Sequence, residues 1–170
     1  DVEPTDERVR RIFRRYVELL PDSIEETSGY TIHPGVEELV DDLYRFHGDS
    51  LALGLGTGNI ERGARLKLDP GDLNPYFDFG GFGSDAVERS ELIRAGARRG
   101  SDHVDCPFAD CRVVVIGDTP LDVRAARAID AEALTVGTGG ATEEELHASD
   151  PDYHFETLAE PDVRRVILDS

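Results

Sequence analysis

The amino-acid sequence predicts an α/β domain built on a doubly wound, Rossmann-like parallel sheet. From residue 36 onward, short apolar segments alternate with amphipathic segments, which is the pattern of successive strand–helix units. The stretch 112–122, RVVVIGDTPLD, contains four apolar β-formers closed by Gly117, typical of a strand buried on both faces of a parallel sheet. A turn and a helical pattern follow at once, so we expect the turn at the carboxyl end of that strand.

Two amphipathic helices are predicted ahead of the first strand. Residues 6–20 place apolar side chains on one helical face and arginines on the other, and Pro21 with Asp22 is expected to end this helix. Residues 36–46 repeat apolar side chains at helical spacing, and Gly48 supplies a stop signal.

Strands and helices then alternate along the chain. Residues 51–55, LALGL, predict a strand, and the turn 56–59 leads into a helix over 60–68. The next segments predict a strand and turn over 79–85, a helix over 88–98, and the strand 113–116 followed by a helix over 122–129. After them come a strand over 133–136, a helix capped by a Thr142–Glu145 box, a strand over 153–155 and a helix over 162–168.

The composition limits the classes of partner. The formal net charge is −18, which makes nucleic acid and anionic membranes poor partners. Lys67 is the only lysine, and an acidic chain with almost no lysine suits a halophile, although an ordinary solvated acidic surface gives the same composition. Two cysteines without a partner cluster, and no stretch long enough to span a membrane, favour a cytoplasmic protein.

Two carboxylates follow the buried strand of residues 113–116. Asp118 comes directly after Gly117, and Asp122 lies one helical turn further on. Open α/β sheets bind their ligands at the carboxyl ends of their strands, and paired carboxylates form a hard-oxygen site suited to Mg²⁺. The alternative is a turn aspartate followed by a helix-capping aspartate.

The turn over 56–59, G-T-G-N, is suited to binding an anion. Its small residues permit close approach, the backbone N–H groups at a helix start can point at an anion, and Thr57 adds a hydroxyl donor, so we expect Thr57, Gly58 and Asn59 to bind phosphate. The spacing does not fit the dinucleotide fingerprint G-x-G-x-x-G, because Asn occupies position 59 and Gly63 falls inside the helix.

The two turns, G-T-G-N at 56–59 and G-D-T-P-L-D at 117–122, with P-G-V-E-E-L ahead of them, resemble the haloacid dehalogenase superfamily of phosphohydrolases, in its phosphoglycolate-phosphatase-like branch. The resemblance runs from Pro34 to Phe155. It implies a core over residues 31–170 and, over residues 1–30, the C-terminal part of a helical cap. It also implies Mg²⁺-dependent hydrolysis of a small phosphorylated metabolite.

The resemblance assigns a role to each site residue. Thr57 would hydrogen-bond the transferring phosphoryl group, Asp118 would coordinate Mg²⁺, and Asp122 would bind or orient the metal, its water or a neighbouring cation. The family usually has a lysine as well, and Lys67 lies about 12 Å along its helix from the turn, pointing away. Arg89 is the best substitute, because a guanidinium can neutralise the same charge with different geometry. The alternative for Arg89 is a surface ion pair with Glu88 or Glu91.

The largest departure from the family is the absence of its Asp-x-Asp motif, which follows the first core strand and supplies the nucleophile and the acid/base. That strand normally lies between the strands bearing Thr57 and Asp118. We therefore expect the motif N-terminal to Asp1, and we expect residues 1–170 alone to be inactive. The alternative function is a non-catalytic binding or regulatory module that keeps the fold without the chemistry.

Overall fold

The computed structural model describes residues 5–26, 30–47 and 50–169. Within these ranges the helices are α1 (Asp6–Glu26), α2 (Val36–His47), α3 (Glu61–Leu68), α4 (Arg89–His103), α5 (Pro120–Arg127), α6 (Glu143–Ala148) and α7 (Pro161–Leu168). The strands are β1 (Gly54–Thr57), β2 (Phe79–Phe82), β3 (Val114–Gly117), β4 (Glu132–Val136) and β5 (Tyr153–Phe155). None of these helices combines the length and the apolar character of a membrane span.

The strands are parallel throughout, as predicted, but the described residues form two separate sheets. β1 pairs with β2, starting at Gly54 opposite Phe79 and ending at Thr57 opposite Phe82. The second sheet has the order β3-β4-β5. Each strand is followed by a helix or a helical turn, so the prediction of a Rossmann-like, doubly wound α/β core is confirmed.

Two apolar clusters bind the sheets to their helices. The first joins α4 and α5 to β3 and β4, and its members are Leu92, Ile93, Val115, Val123, Ala125, Ala126, Ile129, Ala131 and Ala133. The second joins α2 and α7 to β4, with Leu39, Leu43, Leu134, Val136 and Val163 at its centre and Leu51 and Leu53 packed against it. The segment leading into β1 and the strands of the second sheet therefore share one core.

Close contact between β2 and α4 sets the position of the α4 N-terminus. A Cβ added at Gly81 would lie 1.7 Å from the carbonyl oxygen of Leu92, and one added at Gly96 would lie 2.7 Å from the backbone nitrogen of Gly81. Because glycines occupy both positions, the helix backbone lies directly on the strand. Leu92, which is only 2% exposed, locks the same face of α4 into the core.

The first helix is longer than the sequence predicts. We expected Pro21 and Asp22 to end it, but α1 continues to Glu26 with Pro21 inside the helix. Proline removes one backbone donor but does not by itself stop a helix. Leu20 is buried and Ile24 is half-buried, so the apolar face continues past the proline and burial favours the helical conformation.

The first strand begins three residues later than predicted. Leu51 and Leu53 are half-buried in the second apolar cluster, which explains their apolar pattern, but they precede the ladder. Pairing starts at Gly54 because β2 itself starts at Phe79. The expected stop signal for α2, Gly48, lies outside the described residues.

The prediction that the strand after Arg112 is buried on both faces is wrong for this structure. Val115 is buried, but Ile116 is 41% exposed. β3 pairs with β4 on one side only, and β1 pairs with β2 on one side only. An edge strand lacks a neighbour whose side chains would cover its apolar residues, and both β3 and β1 have such an edge among the described residues.

Candidate active site

The carboxyl ends of β1 and β2 are joined directly. The backbone nitrogen of Gly83 donates to the carbonyl oxygen of Asn59 at 2.8 Å, and a Cβ at Gly83 would lie 2.1 Å from the carbonyl oxygen of Gly58. The turn after β1, residues 56–59, and the turn after β2 are therefore in contact. From the second turn the chain enters α4, whose first residue is Arg89.

The turn of residues 56–59 is folded on its own threonine. Asn59 N donates to Thr57 Oγ1 at 3.1 Å, so the hydroxyl oxygen accepts one hydrogen bond and its own hydrogen remains available to a further acceptor. A Cβ at Gly58 would have no atom within 4 Å, which leaves the approach to the turn open. Asn59 Nδ2 donates to the hydroxyl of Tyr16 at 3.0 Å and so ties α1 to the turn.

A groove of about 520 Å³ lies beside this turn, lined by Tyr16, Leu55, Thr57, Gly58, Asn59, Ala64, Lys67 and Leu68. The expectation that Lys67 lies away from the turn is too simple, because Lys67 and Thr57 line the same groove. The helix α3 spans only eight residues, and Tyr16 of α1 lines the groove together with Lys67 of α3. The expectation used only the distance along the helix axis, which takes no account of the groove.

Arg89 reaches from the start of α4 to the start of α5. Its Nε donates to Asp122 Oδ1 at 2.7 Å, and its Nη2 donates to the same oxygen. Asp122 is only 3% exposed, whereas a third of the Arg89 side chain is exposed. The alternative partners were Glu88 and Glu91, and Glu91 instead pairs with Arg94. Arg89 therefore belongs to the strand-end region and is not part of a surface ion pair.

Both carboxylate oxygens of Asp122 accept hydrogen bonds. Its second oxygen, Oδ2, accepts from Thr119 N at 3.1 Å and from Thr119 Oγ1 at 2.7 Å. This is the reciprocal contact of a capping box. Asp122 therefore caps the helix through Oδ2, as the alternative interpretation expected, and binds Arg89 through Oδ1. Thr119 was not predicted as a site residue, although a Thr three residues before Asp122 is the capping-box signal.

Asp118 differs from Asp122, because its carboxylate accepts no hydrogen bond and forms no ion pair with residues in the described ranges. It is half-buried directly after β3. Gly139, in the loop after β4, lies against it: a Cβ at Gly139 would be 1.8 Å from Asp118 Oδ2 and 2.3 Å from Asp118 Cβ. The glycine run over 137–140 could have signalled this close approach, and we predicted only a loop there.

Some of the predicted site residues thus contact one another directly, whereas others are connected only through the elements that carry them. Arg89 and Asp122 are hydrogen-bonded, and Asp118 precedes Asp122 by one helical turn. Thr57 has no hydrogen bond to these three residues; its turn reaches them through the contact with Gly83 and through α4, which packs on β1, β2 and α5. The metal-binding and phosphate-binding roles of all these residues stay predictions.

An ion pair stabilises the loop between β2 and α4. Asp85 accepts from Phe82 N at 2.9 Å and from both terminal nitrogens of Arg99, at 2.8 and 2.7 Å. The hydrogen bonds from Arg99, and then that from Phe82, lower the pKa of Asp85 from its ordinary value to about 2. This carboxylate closes the turn that leads to Arg89.

We expect acid to weaken the fold through Asp85. Between about pH 4, where an unfolded Asp titrates, and pH 2, the unfolded chain binds a proton that the folded chain does not, so the free energy of unfolding falls as the pH falls. Urea denaturation across this range should show a shallower loss for Asp85→Asn than for the wild type. Asp102→Asn changes an exposed carboxylate that has no hydrogen bond or ion pair to the described residues, so it should leave the slope unchanged. An equal change in both variants would contradict the assignment.

Comparisons with known proteins show what the chain as a whole is similar to. The HAD-hydrolase-like family model matches residues 90–161, which include both carboxylates and exclude Thr57 and Arg89. Over these residues the chain is similar to HAD-hydrolase-like proteins. The "probable phosphatase IndB" of Dickeya dadantii is 26% identical over 160 residues, which are 91% of this chain and 65% of that protein. The chain therefore spans somewhat less than two thirds of this curated relative.

Solved structures share the fold of this chain. CbbY from Rhodobacter sphaeroides, in complex with xylulose-(1,5)bisphosphate, superposes with a TM-score of 0.66 at 21% identity, over 94% of this chain and 68% of CbbY. A hydrolase from Pseudomonas syringae gives a TM-score of 0.66 at 20% identity, over 99% of this chain and 76% of that one. At these identities the likeness concerns the fold alone.

Proposed function

We propose that the protein to which these residues belong is a Mg²⁺-dependent phosphatase that hydrolyses a small phosphate monoester. The observation that carries the proposal is the free carboxylate of Asp118, half-buried at the carboxyl end of β3 beside a complete Arg89–Asp122 pair. A buried or half-buried carboxylate normally finds a donor in its own protein. One that finds none at a strand end is suited to a cation.

Asp118 and Asp122 are suited to a magnesium ion to different degrees. Asp118 offers a hard oxygen donor with no competing hydrogen bond from the described residues, so it would be the direct ligand. Asp122 has both oxygens engaged by Thr119 and Arg89, so it serves as a positioning residue and holds the guanidinium in place. When bound, Mg²⁺ would offset the charge on the phosphoryl group.

Thr57 and Arg89 supply the donors for the phosphoryl oxygens. The Thr57 hydroxyl hydrogen is free because its oxygen, not its hydrogen, is used by Asn59. The Nη1 of Arg89 is not engaged by Asp122, which takes Nε and Nη2, so one end of a partly exposed guanidinium can reach a ligand. With the turn residues Gly58 and Asn59, these donors would bind the phosphate and stabilise the charge of the transition state.

The open edges of β1 and β3 support the proposal that another strand lies between them. Both edges lack a partner among the described residues, while helices on both faces bridge the two sheets. Unpaired backbone groups in such a position are costly unless a strand satisfies them. We place the nucleophilic Asp-x-Asp on a strand from a segment N-terminal to Asp1, where its carboxyl end would lie between Thr57 and Asp118.

The reaction would then proceed in two steps. The first aspartate of that motif would attack phosphorus in line and form an aspartyl-phosphate as the bond to the leaving oxygen breaks, and the second would protonate that oxygen. The second would then take a proton from the water that attacks the aspartyl-phosphate, which releases inorganic phosphate and restores the first aspartate. The substrate class is a small phosphorylated metabolite. Residues 1–30 would belong to the cap, because α1 contacts the phosphate-binding turn through Tyr16.

The test is a phosphatase assay on the full-length protein. p-Nitrophenyl phosphate should be hydrolysed with Mg²⁺, and turnover should stop with a chelator and return when Mg²⁺ is restored. Residues 1–170 alone should be inactive. Turnover without metal, or by residues 1–170 alone, would contradict the mechanism. No turnover of any phosphomonoester by the full-length protein would favour the non-catalytic module.

A further inference from the structure

A second cluster of potential metal ligands lies outside the proposed phosphatase site. Glu143 and His147 are on α6, and His154 is on β5. Each offers one ligand atom, and these three atoms lie within 4.8 Å of one another. Within the described part of the chain this is where three such side chains come together.

The fold brings these three side chains together for two independent reasons. Glu143 and His147 are four residues apart on one helix, so they share a face, and His147 Nε2 lies 3.5 Å from Glu143 Oε1. The rings of His147 and His154 meet edge to face with their centroids 4.5 Å apart. Leu146 is completely buried, which fixes the rotation of α6 so that this face lies over β5.

The start of α6 is also fixed. Thr142 and Glu145 form a capping box, in which Glu145 N donates to Thr142 Oγ1 at 3.3 Å and Thr142 N donates to Glu145 Oε2 at 2.9 Å. Glu143 lies between these two residues, so its backbone is held by a structure that does not use its own carboxylate. Among the described residues that carboxylate contacts only His147, the second ligand of the cluster.

A buried threonine orients His154. Thr135 is only 1% exposed, and its Oγ1 lies 2.9 Å from His154 Nδ1 and 3.4 Å from the carbonyl oxygen of Tyr153. If the hydroxyl donates to the Tyr153 carbonyl, it accepts from Nδ1–H of His154, and the other ring nitrogen, Nε2, keeps its lone pair. Metal-bound histidines are characteristically held in this way, by a hydrogen bond from the nitrogen that does not bind the metal.

We propose that Glu143, His147 and His154 bind a zinc-type divalent ion, with water completing the coordination. Two imidazoles and one carboxylate are a recognised zinc ligand set, whereas Mg²⁺ prefers oxygen ligands alone. In a tetrahedral site with bonds of about 2.0–2.1 Å, ligand atoms lie about 3.3 Å apart. Glu143 and His147 are exposed, so their rotamers can close the remaining distance without moving the backbone.

The ion would join α6 to β5. The loop that carries Gly139 leads into α6, so this joint would also steady the loop that contacts Asp118. The proposal does not depend on the phosphatase function, because none of the three ligands belongs to that site.

The test is a zinc titration of the full-length protein in excess Mg²⁺, which occupies any oxygen-only site. Competition with a fluorescent chelator should give one zinc per chain. His147→Gln and His154→Gln should each weaken binding at least about tenfold, and Thr135→Val, which removes only the orienting hydroxyl, should weaken it about tenfold. His33→Gln changes an exposed histidine outside the cluster and should bind as the wild type does.

A second measurement separates binding from folding. Zinc should raise the midpoint of thermal unfolding of the wild type and of His33→Gln but not of His147→Gln, whose exposed side chain can be replaced without disturbing the core. Co²⁺ should give the visible spectrum of a tetrahedral site with histidine ligands. Equal zinc stoichiometry and affinity in all variants, or no zinc bound by the wild type, would overturn the proposal.

Discussion

Replacing Asp118 with Asn is expected to lower Mg²⁺-dependent phosphatase turnover of the full-length protein by about a thousandfold. The Asn side chain keeps the shape but loses the charge that binds the cation, and several kcal/mol of transition-state stabilisation correspond to about this factor. The Asp118 carboxylate accepts no hydrogen bond and forms no ion pair within the described residues, so the fold should be unaffected. Turnover should be measured at increasing Mg²⁺, together with the thermal midpoint.

The control for this prediction is Asp110→Asn, which removes an exposed carboxylate and should change neither turnover nor the thermal midpoint.

A pair of glycine variants tests the position of the Asp118 carboxylate without altering its charge. Gly139→Ala would drive a methyl group into Asp118 and should also reduce turnover strongly, whereas a Cβ at Gly140 would meet no atom within 4 Å and should be harmless. Equal activity in the two glycine variants would contradict the proposed position of Asp118.

Replacing Arg89 with Ala is expected to destabilise the protein by about 3 kcal/mol and to abolish most turnover. The substitution leaves the Asp122 carboxylate buried and without its cation, and breaking a buried ion pair costs about 3–5 kcal/mol. We take the lower end because a third of the Arg89 side chain is exposed. Urea denaturation gives the stability, and activity should be assayed at a temperature where the variant remains folded.

The matched control is Arg98→Ala, on the same helix, where the arginine is exposed and makes no ion pair with described residues. A double-mutant cycle with Asp122→Asn isolates the pair, and a coupling energy of about 0.5–3 kcal/mol is expected. Arg89→Lys should recover part of the stability, because it restores the charge, but not the two-nitrogen contact with Asp122. Additive effects of Arg89→Ala and Asp122→Asn would contradict the proposed pairing.

The sequence allowed the strand–helix alternation and the strand-end turns to be predicted because both depend on local signals. The four apolar residues before Gly117 and the box formed by Thr142 and Glu145 each act within a few residues, and the structure has β3 and the start of α6 where they indicate. Parallel pairing follows from the same alternation.

The features that could not be predicted depend on contacts between distant segments. The exposure of Ile116 arises because β3 has an open edge, which its own sequence does not encode. The partner of Arg89 is 33 residues away, and the sequence offered Glu88 and Glu91 as alternative partners nearby. Asp122 has both carboxylate oxygens hydrogen-bonded, whereas the Asp118 carboxylate has no partner among the described residues. This difference depends on the packing of α4 beside α5, which the sequence alone does not give.

In the proposed mechanism Thr57 and Asp118 serve one phosphate and one ion. The most direct test is a crystal structure of the full-length protein with Mg²⁺ and inorganic phosphate. We predict a phosphate oxygen within hydrogen-bonding distance of Thr57 Oγ1, Mg²⁺ on the Asp118 carboxylate of the same site, and a strand between β1 and β3. Phosphate and metal bound at separate places, or a Thr57 hydroxyl turned away from Asp118, would contradict it.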